Sequence, residues 1–366
     1  MGPVFRSPLR EWAERCVRQP LSAPVPDDAA AFAARNGTLR LAMRAARRAL
    51  QLRWSGQLPT RRQHLDRQWR RVLWIHEGMP QIGDALMDLA PRSLLVEQGL
   101  RVDLFAAGHI ATLLEHDAWF GRVLHRPEDV RIEDYDAAIV LSHDRKALVL
   151  KRARLPALPW VSLQGDYGGP DFHRARFATQ RLADLLGITL TPDEFARHSA
   201  QKLAVTTPAA ASAAQLCPRS GGVALVLGGV WPDRTYHRWA ECIRVLHARG
   251  VNRFLLLGGD NGRTLADEVV ASAPDGVELI DVVGRTTLAQ AQALLARSAA
   301  VVAADGGLMH LALTTPAPIV AMFTSAIDPQ WRLPLRLHGV ALQSAVPEVD
   351  GLAPDIVANA VVRALA

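Results

Sequence analysis

The chain is poor in cysteine and has no long apolar run. Its three cysteines, Cys16, Cys217 and Cys242, are scattered along 366 residues without a Cys-x-x-Cys pair or Cys/His spacing, which argues against both a disulfide framework and a zinc site. The thiols are expected to be reduced and buried, as in a cytosolic protein. No segment approaches the roughly 20 uninterrupted apolar residues that span a bilayer. Met1 to Trp12 lacks the apolar core of a signal peptide, so a soluble, cytoplasmic protein is expected. With 49% hydrophobic residues, the chain has material for two separate cores, and two domains are expected.

The net charge of +6 is unevenly placed. Met1 to Arg71 holds 15 arginines against five acidic residues, so this segment carries +10 and the remainder −4. Residues 1–70 read as a basic, mostly helical extension. Clustered guanidinium groups would attract an anionic membrane face, an acidic glycolipid or nucleic acid, and a solvated helix face is the plainer alternative. Within the extension, Thr38 to Trp54 has helical periodicity, with Leu39, Met43, Ala46 and Leu50 on one stripe and Arg40, Arg44, Arg47 and Arg48 mostly off it. The stripe suits either a membrane surface or the protein's own body.

From Arg71 onward short apolar runs alternate with helical patterns, the signature of βαβ units. Strands are expected at 72–75, 101–105, 137–141 and 160–163, with one helix from Asp84 to Gln98 closed by Gly99. Residues 71–205 form the expected first domain. Thr206 to Gly222, rich in Ala, Ser, Pro and Gly, is the expected linker. Residues 223–335 repeat the pattern as a second domain, with strands at 223–227, 254–257, 277–282, 300–304 and 319–323. Residues 336–366 end in a helix from near Asp355, for which packing back on the first domain is one expectation. The fold class is α/β, two doubly wound parallel sheets, and ligands of such sheets sit beyond the carboxyl ends of the strands.

One such loop stands out. Asp305-Gly306-Gly307-Leu308-Met309-His310 follows an apolar strand and opens a helix. The glycines let a ligand approach the backbone, free N–H groups at a helix start suit an anion, and His310 could donate to a phosphate oxygen. An ordinary turn capped by Asp305 fits the same letters. Asp134-Tyr135-Asp136 imitates an Asp-x-Asp metal motif, yet it precedes a strand and reads as a turn. Gln164, Asp166, Tyr167 and His173 border a glycine-rich loop that suits sugar recognition or plain turn chemistry.

The run from Val223 to Pro334 resembles the nucleotide-binding domain of glycosyltransferase family 9, the lipopolysaccharide heptosyltransferases. The resemblance rests on the order of signals: Gly228-Gly229, then Gly258-Gly259, then Gly284-Arg285-Thr286, then Asp305 to His310, then Phe323 and Asp328-Pro329. It implies a GT-B architecture of two Rossmann-like domains facing across a cleft, and a diphosphate site at Asp305, Gly306, Gly307, Leu308 and His310. Gly306 stands where the family usually has Thr. Arg234 stands in for the family's phosphate-binding Lys in a shortened segment, a guanidinium being able to bind bidentately. Gly228, Gly229, Gly259 and Asp260 would meet the rest of the nucleotide sugar. In the first domain, Gly83-Asp84 through Pro91 resembles the family's acceptor-side turn, which makes Asp84 the catalytic base; His76 and Gly83 are expected at the acceptor, and His143, after the strand at 137–141, either lines the acceptor cleft or lies in a solvated loop. From position alone, Asp84 fits a helix N-cap and Asp88 a solvated helix residue.

The resemblance implies an inverting, metal-independent transfer of heptose from ADP-heptose to a lipopolysaccharide core, with no cofactor. The expected partners are the donor and an anionic glycolipid or glycan, with peripheral contact to the inner membrane through the basic arm and no nucleic acid. Rival readings are a catalytically degenerate nucleotide-sugar-binding scaffold, a related transferase with another donor or with a capsule or protein acceptor, and an epimerase, for which no set of cleft acids is evident.

Overall fold

A computed structural model describes residues 8–18, 29–77, 80–142, 145–170 and 172–366. The chain divides into two compact units, Met1–Pro80 with Met87–Ala200, and Gln81–Leu86 with Gln201–Ala366.

The first unit opens with helices α1 (Pro8–Val17), α2 (Ala29–Asn36) and α3 (Thr38–Trp54). Leu41, Ala42 and Ala45 of α3 pack against Ala13, Cys16 and Val17 of α1. The buried face is therefore not the expected one: Leu39, Met43 and Leu50 stay 59%, 57% and 41% exposed. Apolar residues occur at nearly every phase of this helix, so periodicity does not choose the face. The small residues Ala42 and Ala45 do, because they let α1 approach closely.

Five strands follow: β1 (Arg71–His76), β2 (Arg101–Ala106), β3 (Val123–Leu124), β4 (Ala137–Val140) and β5 (Trp160–Ser162). They form a parallel sheet in the order β3-β2-β1-β4-β5. Nearly every position of β1, β2 and β4 is buried, which explains their unbroken apolar runs. Between them lie α4 (Ile82–Asp88), α5 (Arg92–Glu97), α6 (Gly108–Leu114) and α7 (Arg145–Arg154), and after β5 come α8 (Arg174–Leu186) and α9 (Pro192–Ser199). The single helix expected over 84–98 is thus two. Pro91 divides them, since it has no N–H for the helical ladder and its ring clashes with the preceding turn.

The expected linker is largely helical. Thr206 accepts from Ala209 N at 3.3 Å and caps α10 (Thr207–Leu216), whose alanines favour helix strongly. Ala209 and Ala213 are buried, and Gln290 donates to Ser212 Oγ at 2.7 Å.

The second unit holds β6 (Val223–Val226), α11 (Trp239–His247), β7 (Arg253–Leu257), α12 (Arg263–Ala271), β8 (Glu278–Asp281) and α13 (Leu288–Ala296). It continues through β9 (Ala300–Ala304), α14 (Gly307–Ala312), β10 (Ile319–Phe323), β11 (Gly339–Gln343) and α15 (Pro354–Leu365). The six strands are parallel in the order β11-β10-β9-β6-β7-β8. The C-terminal helix α15 belongs to this unit's own core, where Val357, Ala358 and Val361 join Leu246, Leu256 and Met322. Strand β11, not expected from the sequence, is a half-buried edge strand. Chain order reverses between β6 and β9, which makes the loops after these two strands the place for a ligand.

Candidate functional site

The loop after β6 is held by glycine contacts. Gly228 has φ +79°, and a Cβ there would lie 2.8 Å from Gly262 Cα. A Cβ on Gly258 would lie 2.4 Å from Leu227 O. The loops after β6 and β7 therefore cross backbone to backbone, and larger residues would part them. Asn261 donates to Gly229 O at 2.8 Å and ties them again. Gly259 and Asp260 are exposed at the end of β7, and the Asp260 carboxylate lies over Gly284, the turn after β8.

Asp305 follows β9 directly and is buried, with Arg234 donating to Oδ2 from Nη1 at 3.0 Å. Arg332 Nε lies 3.8 Å from the same oxygen, and His310 Nε2 lies 3.7 Å from Oδ1. Two guanidinium groups thus approach one carboxylate. Both arginines reach the surface, with side chains 29% and 17% exposed. His310 is buried, and Nδ1 lies 3.1 Å from Gln201 Oε1. Nε2 of the same ring faces Asp305.

Gly306 is extended, with φ −178° and ψ −179°, and a Cβ there would meet only Ala304 O at 3.7 Å. Neither backbone nor space requires glycine. The N–H groups at the start of α14, from Gly307 and Leu308, have no intrahelical acceptor.

Gly83 and Asp84 lie in the first turn of α4. A Cβ on Gly83 would stand 2.3 Å from His310 Cδ2, so glycine allows this turn to rest against the imidazole. Ile82 packs near Gly307, with Cδ1 3.4 Å from the position of a Cβ there. Asp84, half-buried, is one residue from the His310 contact and inside the helix. It is therefore not the N-cap that position alone suggested.

Other expectations are corrected. His76 is buried, its side chain 1% exposed, with Nε2 3.6 Å from Asp88 Oδ2. Asp88 is also buried, and Arg174 donates to both of its oxygens. Burial alone would raise the Asp88 pKa, but the charge of Arg174, with His76 adding to it, holds the carboxyl below its ordinary range. His76 is thus placed to hold Asp88 rather than an acceptor, and Asp88 is not a solvated residue. His143 lies outside the described residues. In the glycine-rich loop, Arg48 donates to the carbonyls of Asp166 and Tyr167, Tyr167 donates to Pro170 O at 2.8 Å, and His173 caps α8 by accepting from Arg176 N. Asp134 takes Arg122, and Asp136 accepts from the N–H groups of Arg70 and Arg71.

Arg332 and Gln201 were not expected from the sequence. Arg332 carried a signal, since it follows Asp328-Pro329 in the loop after β10, the neighbour of β9. Gln201 carried none, because its partner is 109 residues away.

Residues 176–346 match the family model of glycosyltransferase family 9 (heptosyltransferase). Among solved structures, the chain is similar to a family 9 glycosyl transferase from Veillonella parvula DSM 2008, with a TM-score of 0.65 and 14% identity over 82% of this chain and 98% of that one. It is similar to the ADP-heptose LPS heptosyltransferase II of E. coli, with a TM-score of 0.61 and 18% identity over 81% and 98% of the two chains. A third likeness is to E. coli heptosyltransferase WaaC with ADP, at 0.61 and 18% over 80% and 99%. At such identities the likeness is one of fold, the GT-B class built from two parallel-sheet α/β domains. No curated protein matches the chain. The matched residues 176–346 hold Arg234, Asp305, His310 and Arg332, so the site described above lies within the segment that resembles family 9.

Proposed function

We propose that the chain is an inverting transferase that moves a sugar, heptose from ADP-heptose being the first donor to test, to a hydroxyl of a lipopolysaccharide-core or related glycan. The observation that carries the reading is the Asp305 cluster: two partly exposed arginines share one carboxylate beside the glycine loops at the switch point. In this reading the two guanidinium groups meet the diphosphate of the donor. The acceptor oxygen bonds to the anomeric carbon as that carbon's bond to the diphosphate oxygen breaks. Asp84 takes the hydroxyl proton, and the diphosphate leaves with the electron pair of the broken bond. Arg234, Arg332 and the N–H groups of Gly306 and Gly307 meet the growing charge. The family segment does not include Asp84, so the role of this residue needs its own test.

Asp84→Ala is expected to lower transfer by about a thousandfold while calorimetry finds ADP binding unchanged. Normal turnover by the purified variant refutes the assignment. ADP binding by the wild-type chain with no transfer from any of a panel of nucleotide sugars would favour a binding scaffold instead. In this reading no metal enters the step, and transfer continues in the presence of a chelator.

A further inference from the structure

Helix α3 has two apolar faces, and among the described residues only one packs against the rest of the protein. Leu41, Ala42 and Ala45 face α1, and Leu52 enters the core beneath the first sheet. Arg48 adds an anchor to the carbonyls of Asp166 and Tyr167. On the opposite side, Leu39, Met43, Leu50 and Trp54 are 59%, 57%, 41% and 74% exposed. At 3.6 residues per turn these four lie within about 60° of one another, so they form one stripe along an immobilised helix. The stripe continues onto α7. Trp54 and Gln51 share a surface depression with Val149 and Arg152, and Val149 is 60% exposed.

The charge around this stripe has one sign. Helix α3 carries five arginines and no acid, and α7 carries three arginines, two lysines and no acid. Arg40, Arg44, Arg47 and Arg53 are exposed, as are Lys146 and Arg152. Among the described residues none of these six has a carboxylate partner. An apolar ridge with cations along its sides matches the layered chemistry of a bilayer surface, acyl chains beneath anionic headgroups. A soluble protein partner would have to supply both an apolar groove and an acidic rim.

We propose that the outer face of α3, extended by Val149 and Arg152 of α7, docks the protein on a bilayer surface carrying anionic phospholipid, with Leu39, Met43, Leu50 and Trp54 entering the headgroup region. The docking is independent of the donor chemistry, because neither helix belongs to the Asp305 cluster or to the Asp84 turn.

The test is co-sedimentation of the full chain with vesicles of phosphatidylcholine alone and with an equal mixture of phosphatidylcholine and phosphatidylglycerol. Binding is expected only to the anionic vesicles and is expected to weaken with added salt. Arg40→Glu, Arg44→Glu and Arg47→Glu combined should weaken it by about a hundredfold or more, at roughly fivefold per cation. Trp54→Ser should weaken it by about tenfold, with ADP binding unchanged in both variants as evidence of intact folding. Equal binding to both vesicles, no binding, or binding indifferent to these substitutions overturns the proposal. A wild-type dimer that Trp54→Ser converts to monomer, without vesicle binding, also overturns it and assigns the stripe to a second copy.

Discussion

Asp88 in the first unit and Asp305 in the second are built from the same parts and differ in how they are closed. Each is a buried carboxylate facing a histidine and arginine. At Asp88 a single guanidinium, from Arg174, takes both oxygens, and the whole group is at most 15% exposed. At Asp305 the charge is divided among Arg234, Arg332 and His310; Arg332 is about as enclosed as Arg174, and Arg234, 29% exposed, is the more open. A planar fork on a carboxylate is a finished structure. Under the proposed function the difference assigns one centre to the framework and the other to a ligand, although position alone makes Asp88 a solvated helix residue.

The comparison breaks most sharply at Asp88. Asp88→Asn takes from the largely buried guanidinium of Arg174 the carboxylate it grips with two nitrogens, and a loss of about 3 kcal/mol in stability is expected, measured by denaturant unfolding. The cost should depend on acidity in one direction. Because the folded Asp88 pKa lies below its unfolded value, the carboxylate stabilises the fold above about pH 4 and loses that effect as pH falls through the folded value. The gap in Tm between wild type and Asp88→Asn should therefore be full at neutral pH and close in acid. A gap that persists unchanged at low pH would show that packing, not charge, carries the difference.

Asp305→Asn should behave in the opposite sense. Arg234, the hydrogen-bonded partner, is 29% exposed and can turn to water, so a smaller loss of about 1 kcal/mol is expected. Transfer falls by about a hundredfold because Arg234, Arg332 and His310 lose their common anchor and drift from their positions. A variant destabilised as much as Asp88→Asn would erase the distinction.

Gly83→Ala probes the contact between the α4 turn and His310. With a Cβ 2.3 Å from the ring, the turn or the imidazole must move. A loss of about 2 kcal/mol in stability is expected, with a fall in kcat that Asp84, one residue on, would transmit. Unchanged unfolding and kinetics would mean that the turn does not rest on the histidine.

How much of this was legible depended on sequence distance. The buried strands of the second sheet, β6, β7, β9 and β10, could be read because each is an unbroken apolar run ended by glycine or a small polar residue, as at Gly228-Gly229 and Asp305-Gly306, whereas the half-buried edge strand β11 could not. The α3 face could not be read, since the choice between Leu39 and Leu41 was made by the small residues of α1 and α3 meeting in space. Nor could the carboxylate centres. Arg174 is 86 residues from Asp88 and Arg234 is 71 from Asp305, and no local pattern announces such partners. Pro91 was visible in the sequence, and its effect on the 84–98 helix follows from the missing N–H alone.

Gly306 gives the finest test of how the open centre works. Family 9 usually has a threonine at this position, and the extended backbone here, with only Ala304 O within 4 Å of where a Cβ would stand, can accept one without strain. If the arginines and the backbone N–H groups carry diphosphate binding, Gly306→Thr adds one hydroxyl to a site that already works, and ADP affinity should rise by only about fivefold, the worth of one hydrogen bond. If instead the centre is crippled without that hydroxyl, the substitution should raise transfer by orders of magnitude, and Arg332 would then be a spectator rather than a second phosphate ligand. Calorimetry with ADP beside a transfer assay separates the two, because the first outcome moves Kd alone and the second moves kcat.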